Sequence, residues 1–192
     1  MSAKKEHLIK TAFELFYQKG VHAVGINEIL SASGVAKKTL YNHFPSKEAL
    51  ILAAVQYRDK HFRDWLKHRL NGAEDGRAKV EALFAAIDDW FNNRTGKLLP
   101  FQGCFFINVG GEYGQPDDPI HQQCALHKRK IEQMIADIVQ PLQLDSAQAQ
   151  QLTNALCLLK EGAISQAHIA GDKQAALKAG QTARQLMVAY RC

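Results

Sequence analysis

Residues 26–47 read INEILSASGVAKKTLYNHFPSK, and this stretch decides the fold of the first part of the chain. It predicts two short helices joined by a tight turn at Gly34, a residue with a permissive backbone. The second helix carries six polar side chains within seven residues: Lys37, Lys38, Thr39, Tyr41, Asn42 and His43. A helix of this composition is poorly suited to packing on a core, so we expect it to lie exposed.

Two helices joined by a short glycine-containing turn can place the second in the major groove of DNA while the first lies across the backbone. Lysine can donate to guanine O6 and N7, and asparagine can pair with adenine N6 and N7. Residues 1–70 hold twelve Lys and Arg against six Asp and Glu, whereas residues 71–192 hold twelve against thirteen. This surplus predicts a nucleic-acid surface, although a solvated basic surface without a partner explains the charge alone equally well.

The apolar residues recur at helical spacing throughout the 192 residues, and no alternating strand segment is bounded by turn residues. The sequence therefore predicts an all-α fold, with an N-terminal DNA-binding domain over residues 1–47 and a larger helical domain over residues 48–192. We expect nine helices, at about 4–19, 26–33, 37–43, 47–70, 75–93, 104–113, 119–139, 146–171 and from a cap at Asp172 to Tyr190.

The four cysteines, Cys104, Cys124, Cys157 and Cys192, have no metal-type spacing. The N-terminus lacks the apolar segment of a secretory signal, and no run approaches the roughly 18 apolar residues of a membrane helix. We expect a cytoplasmic protein with free thiols, no cofactor and no membrane partner. A metal site could be suggested by four further residues: Asp117, Asp118, His121 and His127. The two aspartates are better explained as a helix cap, and the two histidines do not share a helix face.

Four segments together resemble the tetracycline-repressor (TetR) family of bacterial regulators. They are A-x-x-L-F-x-x-x-G at residues 12–20, Glu28-Ile29, Ser33-Gly34-Val35, and TLYNHFPSKEAL at residues 39–50. The combination is far more specific than a generic helix-turn-helix. The resemblance implies that the third helix reads DNA.

The resemblance also assigns roles to individual side chains. Lys37, Lys38, Thr39 and Asn42 would face base edges or nearby phosphates, and Tyr41 and His43 would contact the phosphate backbone. Lys47 would add charge to a phosphate site at the start of the fourth helix. Family members usually have Ser or Thr at the cap of the second helix, where this chain has Gly25. Glycine offers no hydroxyl to a phosphate, so Asn27 is the candidate for that contact.

The second domain resembles the family only in its helical pattern, which implies a bundle that holds a small molecule and dimerises through its last two helices. Small and apolar residues form a stripe on each of these helices. The same stripes could instead close the core of a single chain. The candidate dimer residues are Leu152, Leu156, Leu159, Ala163, Ala176, Gly180, Ala183 and Met187.

The central helices supply aromatic residues that suit a planar or apolar ligand, although core packing explains each of them as well. The ligand candidates are Trp65, Phe84, Trp90, Phe105 and Tyr113, with Phe91, Phe101 and Phe106 beside them. Cys104 follows Gly103 and opens a helix, and some family members sense electrophiles through a cysteine at a similar place. A helix N-terminus makes a thiol more reactive. Cys104 is therefore a candidate sensor, with a buried inert thiol as the alternative.

These features predict a homodimeric, ligand-responsive transcriptional regulator. We expect a repressor that a small molecule releases from a near-palindromic operator. A non-specific architectural DNA-binding protein is the alternative, although the near-neutral second domain argues against it. A cysteine-dependent enzyme is a third possibility. The chain has no Gly-rich phosphate loop, no paired catalytic carboxylates and no nucleophile elbow, so we expect no enzyme.

Overall fold

The computed structural model describes residues 2–190, and within them every regular element is a helix, which confirms the all-α prediction. A single turn of 3-10 helix, Gln140–Leu142, follows the seventh α-helix. The nine α-helices of the described residues are α1 (Ala3–Lys19), α2 (Ile26–Ser33), α3 (Lys37–His43), α4 (Lys47–Leu70), α5 (Gly76–Phe91), α6 (Phe105–Glu112), α7 (Pro119–Val139), α8 (Ser146–Ile169) and α9 (Ala175–Ala189).

The helices belong to two compact units. The first unit holds the chain up to His61 together with Cys104–His127, and the second holds Phe62–Gly103 together with the residues from Lys128 onward. Both α4 and α7 therefore begin in the first unit and end in the second. The boundary that the sequence predicts between residues 47 and 48 does not coincide with the division between these units, and it stays a prediction.

In the first unit, α1 packs against α2 and α3. Leu8 and Ala12 of α1 are fully buried, as are Ile29 of α2 and Leu40 of α3. These residues lie on the faces that the helical spacing of the apolar residues predicts. Nearby residues in the sequence also define both ends of α1. Ser2 caps its start by accepting from the Lys5 N–H at 3.3 Å, and Gly20 ends it with φ of 87°. Burial of this apolar face fixes α2 and α3, which have 8 and 7 residues and are too short to be stable alone.

In the second unit, α9 packs against α5 and α8. Gly180 allows this approach, because a Cβ at that position would lie 3.1 Å from the Phe84 Cβ. Trp90 and Phe101 pack edge to face with their ring centroids 4.9 Å apart. A reciprocal pair of hydrogen bonds between Asp145 and Gln148 caps α8.

Ser46 caps α4, and the predicted cap of α7 by an aspartate is confirmed, whereas the predicted cap of α9 is wrong. Ser46 accepts from the Ala49 N–H at 3.1 Å, and Asp118 accepts from the Ile120 N–H at 2.7 Å. Gln174 is the residue that precedes α9, and its side chain makes no capping hydrogen bond. The Asp172 carboxylate instead accepts from the Gln174 N–H at 3.0 Å and from Lys178 Nζ at 2.6 Å, so it orders the turn before the helix.

Among residues 2–190, no helix is long and apolar enough to cross a membrane.

Candidate nucleic-acid interface

The turn between α2 and α3 depends on a left-handed residue. Gly34 has φ of 65° and ψ of 14°, and its N–H donates to the Leu30 carbonyl at 3.0 Å. The Ser33 hydroxyl then accepts from the Val35 N–H at 3.3 Å, which closes the turn. Because residues with a Cβ are disfavoured at this φ, glycine is the suitable residue here. The turn therefore ends α2 and lets α3 begin three residues later.

The polar side chains of α3 lie on its outer side. Leu40 is fully buried, and Phe44 just after the helix is 3% exposed, so these two anchor α3. Tyr41 is 43% exposed although it is a large aromatic residue. Thr39 and His43 are half-buried at the edge of the helix. The exposed candidates are Lys37, Lys38, Tyr41 and Asn42.

The start of α2 has the unusual cap that the sequence predicts. Gly25 occupies the N-cap with an extended backbone and makes no side-chain hydrogen bond. Asn27, in the first turn of α2, is exposed. Glu28 lies beside it and pairs with Lys19 Nζ at 2.5 Å. An amide is thus the exposed polar group of this first turn, next to a carboxylate that is already paired.

The start of α4 carries two charged side chains, Lys47 and Glu48. Lys47 is half-buried, and its Nζ lies 3.5 Å from the His22 carbonyl oxygen. A backbone amide and the Ser46 hydroxyl hold the pKa of the Glu48 carboxyl below its usual range. The Glu48 carboxylate therefore stays ionised, and its negative charge at the start of α4 interacts favourably with the positive end of the helix dipole.

Three contacts that support the helix-turn-helix are not visible in the sequence pattern. His7 Nε2 lies 3.0 Å from the Ser33 carbonyl oxygen, and Lys5 Nζ lies over the Phe44 ring at 5.4 Å. The Glu112 carboxylate accepts from the backbone N–H of Val21 at 3.0 Å. This last contact joins residues 91 apart in the chain, and no local sequence signal could have found it.

Most of the predicted dimer residues lie inside the second unit. Seven of the eight are buried within one chain, so they offer little surface to a second copy. Their role in dimerisation stays a prediction, as does dimerisation through α8 and α9. The seven are Leu152, Leu156, Ala163, Ala176, Gly180, Ala183 and Met187.

The outer face of α8 and α9 carries an apolar groove of about 540 Å³. Leu158 lies on this groove and is 73% exposed. Two of the predicted dimer residues, the half-buried Leu159 and the buried Ala163, also line it. Gly162 leaves open space in the same wall, because nothing lies within 4 Å of a Cβ added there.

The predicted ligand residues divide between the two units. Trp65, Phe84 and Trp90 are buried in the second unit, and Phe105 is buried in the first. Phe105 packs edge to face on Phe13 with ring centroids 5.2 Å apart. Tyr113 is half-buried, and burial raises the pKa of its hydroxyl. These aromatic side chains have packing partners within their own units, so their role in ligand binding stays a prediction.

Cys104 is 6% exposed and occupies the N-cap of α6, where its carbonyl accepts from the N–H groups of Ile107 and Asn108. Arg58 is buried in the same unit, with its guanidinium over the rings of Phe13 and Tyr17. Burial lowers the pKa of Arg58, while Tyr17, Cys104 and Tyr57 oppose that shift electrostatically. A buried cation is therefore close enough to Cys104 to interact with its thiol.

The other thiols and the metal candidates have separate surroundings. Cys104, Cys124 and Cys157 are thiols that form no disulfide, and Cys192 lies outside the described residues.

Within residues 2–190, no group of three or more His, Cys, Asp or Glu side chains is placed to hold a metal ion. His127 Nδ1 lies 2.9 Å from Asp59 Oδ1 and its ring stacks on Phe106, while His121 Nδ1 lies 2.7 Å from the Tyr113 carbonyl oxygen.

Comparison with known proteins agrees with this geometry. Residues 8–54 match the family described as bacterial regulatory proteins, tetR family, and residues 77–183 match its tetracyclin repressor-like C-terminal domain. The chain therefore belongs to the TetR family. The second match covers the helices from α5 into α9, so the assignment does not rest on the helix-turn-helix alone.

Particular relatives match different parts of the chain. The HTH-type transcriptional regulator YerO of Bacillus subtilis is 51% identical over 57 residues, which are 30% of this chain and 20% of YerO. YuxN of the same organism is 30% identical over 173 residues, 88% of this chain and 55% of YuxN. The crystal structure of SCO4454, a TetR-family transcriptional regulator from Streptomyces coelicolor, superposes with a TM-score of 0.87 at 25% identity, over 98% of this chain and 90% of that one.

The matched stretches cover less than two thirds of YerO and YuxN themselves.

Proposed function

We propose that this chain is a homodimeric, ligand-responsive, DNA-binding regulator that represses transcription by occupying a near-palindromic operator. The observation that carries the proposal is the exposed polar face of α3, which Leu40 anchors from behind. A helix presented in this way after a tight turn suits the major groove of B-DNA. The surplus of Lys and Arg in residues 1–70 supplies the attraction to phosphates that operator binding needs.

The proposed contacts follow from the chemistry and exposure of each side chain. Lys37, Lys38 and Asn42 reach base edges, where lysine donates to guanine and asparagine pairs with adenine. Thr39, Tyr41 and His43 contact the flanking phosphates, and Asn27 does so at the start of α2. Lys47 approaches a phosphate at the start of α4. Phosphate contacts set the register of the protein on the duplex, and the base contacts select the sequence.

The proposed dimer forms through the outer groove of α8 and α9 rather than through the buried stripe. Leu158 is a large apolar side chain that is 73% exposed, and it lies against small residues of the same groove. A second copy related by two-fold symmetry would place the same apolar surface opposite it. Two α3 helices would then meet two half-sites of one operator.

Cys104 is the proposed sensor of an electrophilic effector. It occupies the N-cap of α6, in the unit that also buries Arg58, and reactive cysteines are often found at helix N-termini or beside cations. Trp65, Phe84, Trp90, Phe105 and Tyr113 are the aromatic candidates for the effector pocket. In one conformation of the dimer, the spacing of the two α3 helices matches the two half-sites of the operator. An effector releases DNA if it binds more tightly to a second conformation, in which α4 holds the two α3 helices at a different spacing.

Selection of bound duplexes from random DNA tests the proposal. We expect an enriched sequence with two-fold symmetry, and we expect the Lys38→Ala variant to bind it more weakly. Lys10→Ala is the matched control, because Lys10 is an exposed lysine of α1 outside the helix-turn-helix. Binding without any enriched sequence would contradict operator recognition and would favour a non-specific architectural DNA-binding protein.

A further inference from the structure

The turn between α1 and α2 is closed by a carboxylate from α6. Glu112, the last residue of α6, accepts from the backbone N–H of Val21 at 3.0 Å and from that of His22 at 2.8 Å. Its Oε2 also lies 3.2 Å from the His22 ring Nδ1. The Glu112 side chain is 27% exposed, so these contacts are partly shielded from water. Hydrogen bonds from amides to an ionised carboxylate are stronger than those between neutral groups.

The backbone around the turn is shaped to fit this carboxylate. Gly20 precedes the two amides with φ of 87°, and a Cβ added there would lie 3.2 Å from Glu112 Oε1. On the other side of the turn, Lys47 Nζ lies 3.5 Å from the His22 carbonyl oxygen. The peptide groups at His22 are therefore contacted by the end of α6 through the N–H and by the start of α4 through the carbonyl.

We infer that Glu112 is a positioning residue for operator binding, which fixes the α1–α2 turn and thereby the start of α2 and of α4. This inference rests on the proposed function, because the groups it positions are the proposed phosphate contacts. The turn ends at Gly25, the cap of α2, and Asn27 lies two residues beyond it. Lys47, the other proposed phosphate contact near this turn, faces the same His22. Loss of the carboxylate would remove the hydrogen bonds from the Val21 and His22 amides that hold the turn in place.

The sign of the effect separates positioning from simple electrostatics. A carboxylate in the DNA-binding unit repels phosphates, so its neutralisation alone should strengthen DNA binding or leave it unchanged. If Glu112 positions the turn, its neutralisation should instead weaken binding. Asp117 provides the matched control, because it is an exposed carboxylate five residues further along the chain in the same unit.

The experiment compares wild type with the Glu112→Gln, Glu112→Ala and Asp117→Asn variants in the full chain. Operator affinity is measured by fluorescence anisotropy, with the operator taken from selection with wild type. We expect Glu112→Gln to bind about tenfold more weakly, since the amide retains one acceptor but loses the charge and the second hydrogen bond. Glu112→Ala should bind more weakly still, and Asp117→Asn should bind as tightly as wild type or more tightly.

Amide hydrogen exchange at Val21 and His22 provides a readout that does not depend on DNA. Both amides should exchange faster in Glu112→Gln than in wild type or Asp117→Asn. Because glutamine has nearly the shape of glutamate, this variant remains informative if Glu112→Ala does not fold. Unchanged exchange at both amides, or Glu112→Gln binding as tightly as wild type, would overturn the inference. Failure of wild type to select any sequence would instead be a failure of the proposed function.

Discussion

Leu40 and Tyr41 are adjacent residues with opposite surroundings. Leu40 is fully buried, whereas Tyr41 is 43% exposed. The helical spacing of apolar residues predicts this difference, because Leu40 and Phe44 lie four residues apart on one face. Tyr41 falls on the other face, among lysines and asparagine. At this scale the sequence indicates which side chains anchor α3 and which are available to a partner.

Substitution of these two residues should therefore separate folding from binding. Leu40→Ala should lower the free energy of unfolding by about 2–5 kcal/mol, because it leaves a cavity in the core. Tyr41→Ala should leave that free energy within about 0.5 kcal/mol of wild type, since the side chain is largely exposed. It should nevertheless weaken operator binding. Chemical denaturation and a DNA titration of both variants provide the measurements, and a Tyr41→Ala chain with unchanged operator affinity would contradict the proposed phosphate contact.

Cys104 and Cys157 should differ in their reactivity toward electrophiles, because their surroundings differ. Burial raises the pKa of the Cys157 thiol to about 11. Since only the thiolate is nucleophilic, Cys157 should react slowly at neutral pH and faster as the pH rises toward that value. Cys104 is the proposed sensor at the start of α6, so it should react faster than Cys157 at neutral pH. Alkylation by N-ethylmaleimide, followed by peptide mass spectrometry between about pH 6 and pH 10, measures both rates. Cys104 reacting no faster than Cys157 at neutral pH would rule out the sensor.

At the scale of helices, the sequence predicts the bounds of a helix more reliably than it predicts which other helix packs against it. The bounds of α2, α3 and α4 agree with the prediction, because caps and breaks such as Gly34 and Ser46 are local signals. The small-residue stripe of α9 was also visible, but its pattern is the same whether it packs against α5 or against a second chain. The contact of Glu112 with Val21 could not be predicted, because it depends on the tertiary fold.

The packing of α9 on α5 gives a stability prediction. Gly180→Val should lower the free energy of unfolding by about 1–3 kcal/mol, because the added side chain overlaps Phe84. Gln181→Val introduces the same side chain at the next, exposed position and serves as the control for helix propensity. Thermal unfolding of both variants makes the comparison. Equal losses in the two variants would show that Gly180 is not needed for the approach of α9 to α5.

At the scale of the whole molecule, the proposed dimer depends on a surface that one chain leaves uncovered. Leu158 is exposed on α8, so its replacement should not unfold the chain. Leu158→Glu should convert the dimer to a monomer, because two apolar faces would each gain a charge. Gln150→Glu places the same charge on another side of α8, outside the groove residues, and should leave the dimer intact. Sedimentation velocity measures both, and a Leu158→Glu chain that remains dimeric would contradict the proposed interface.

Sequence-specific DNA binding is the central claim, and the ratio of two affinities tests it most directly. The dissociation constant for the selected operator is measured by fluorescence anisotropy and compared with that for a scrambled duplex of the same length and composition, at about 150 mM salt. We predict that the operator binds about a thousandfold more tightly or better. Equal affinity for the two duplexes would contradict the proposal that this chain reads DNA sequence.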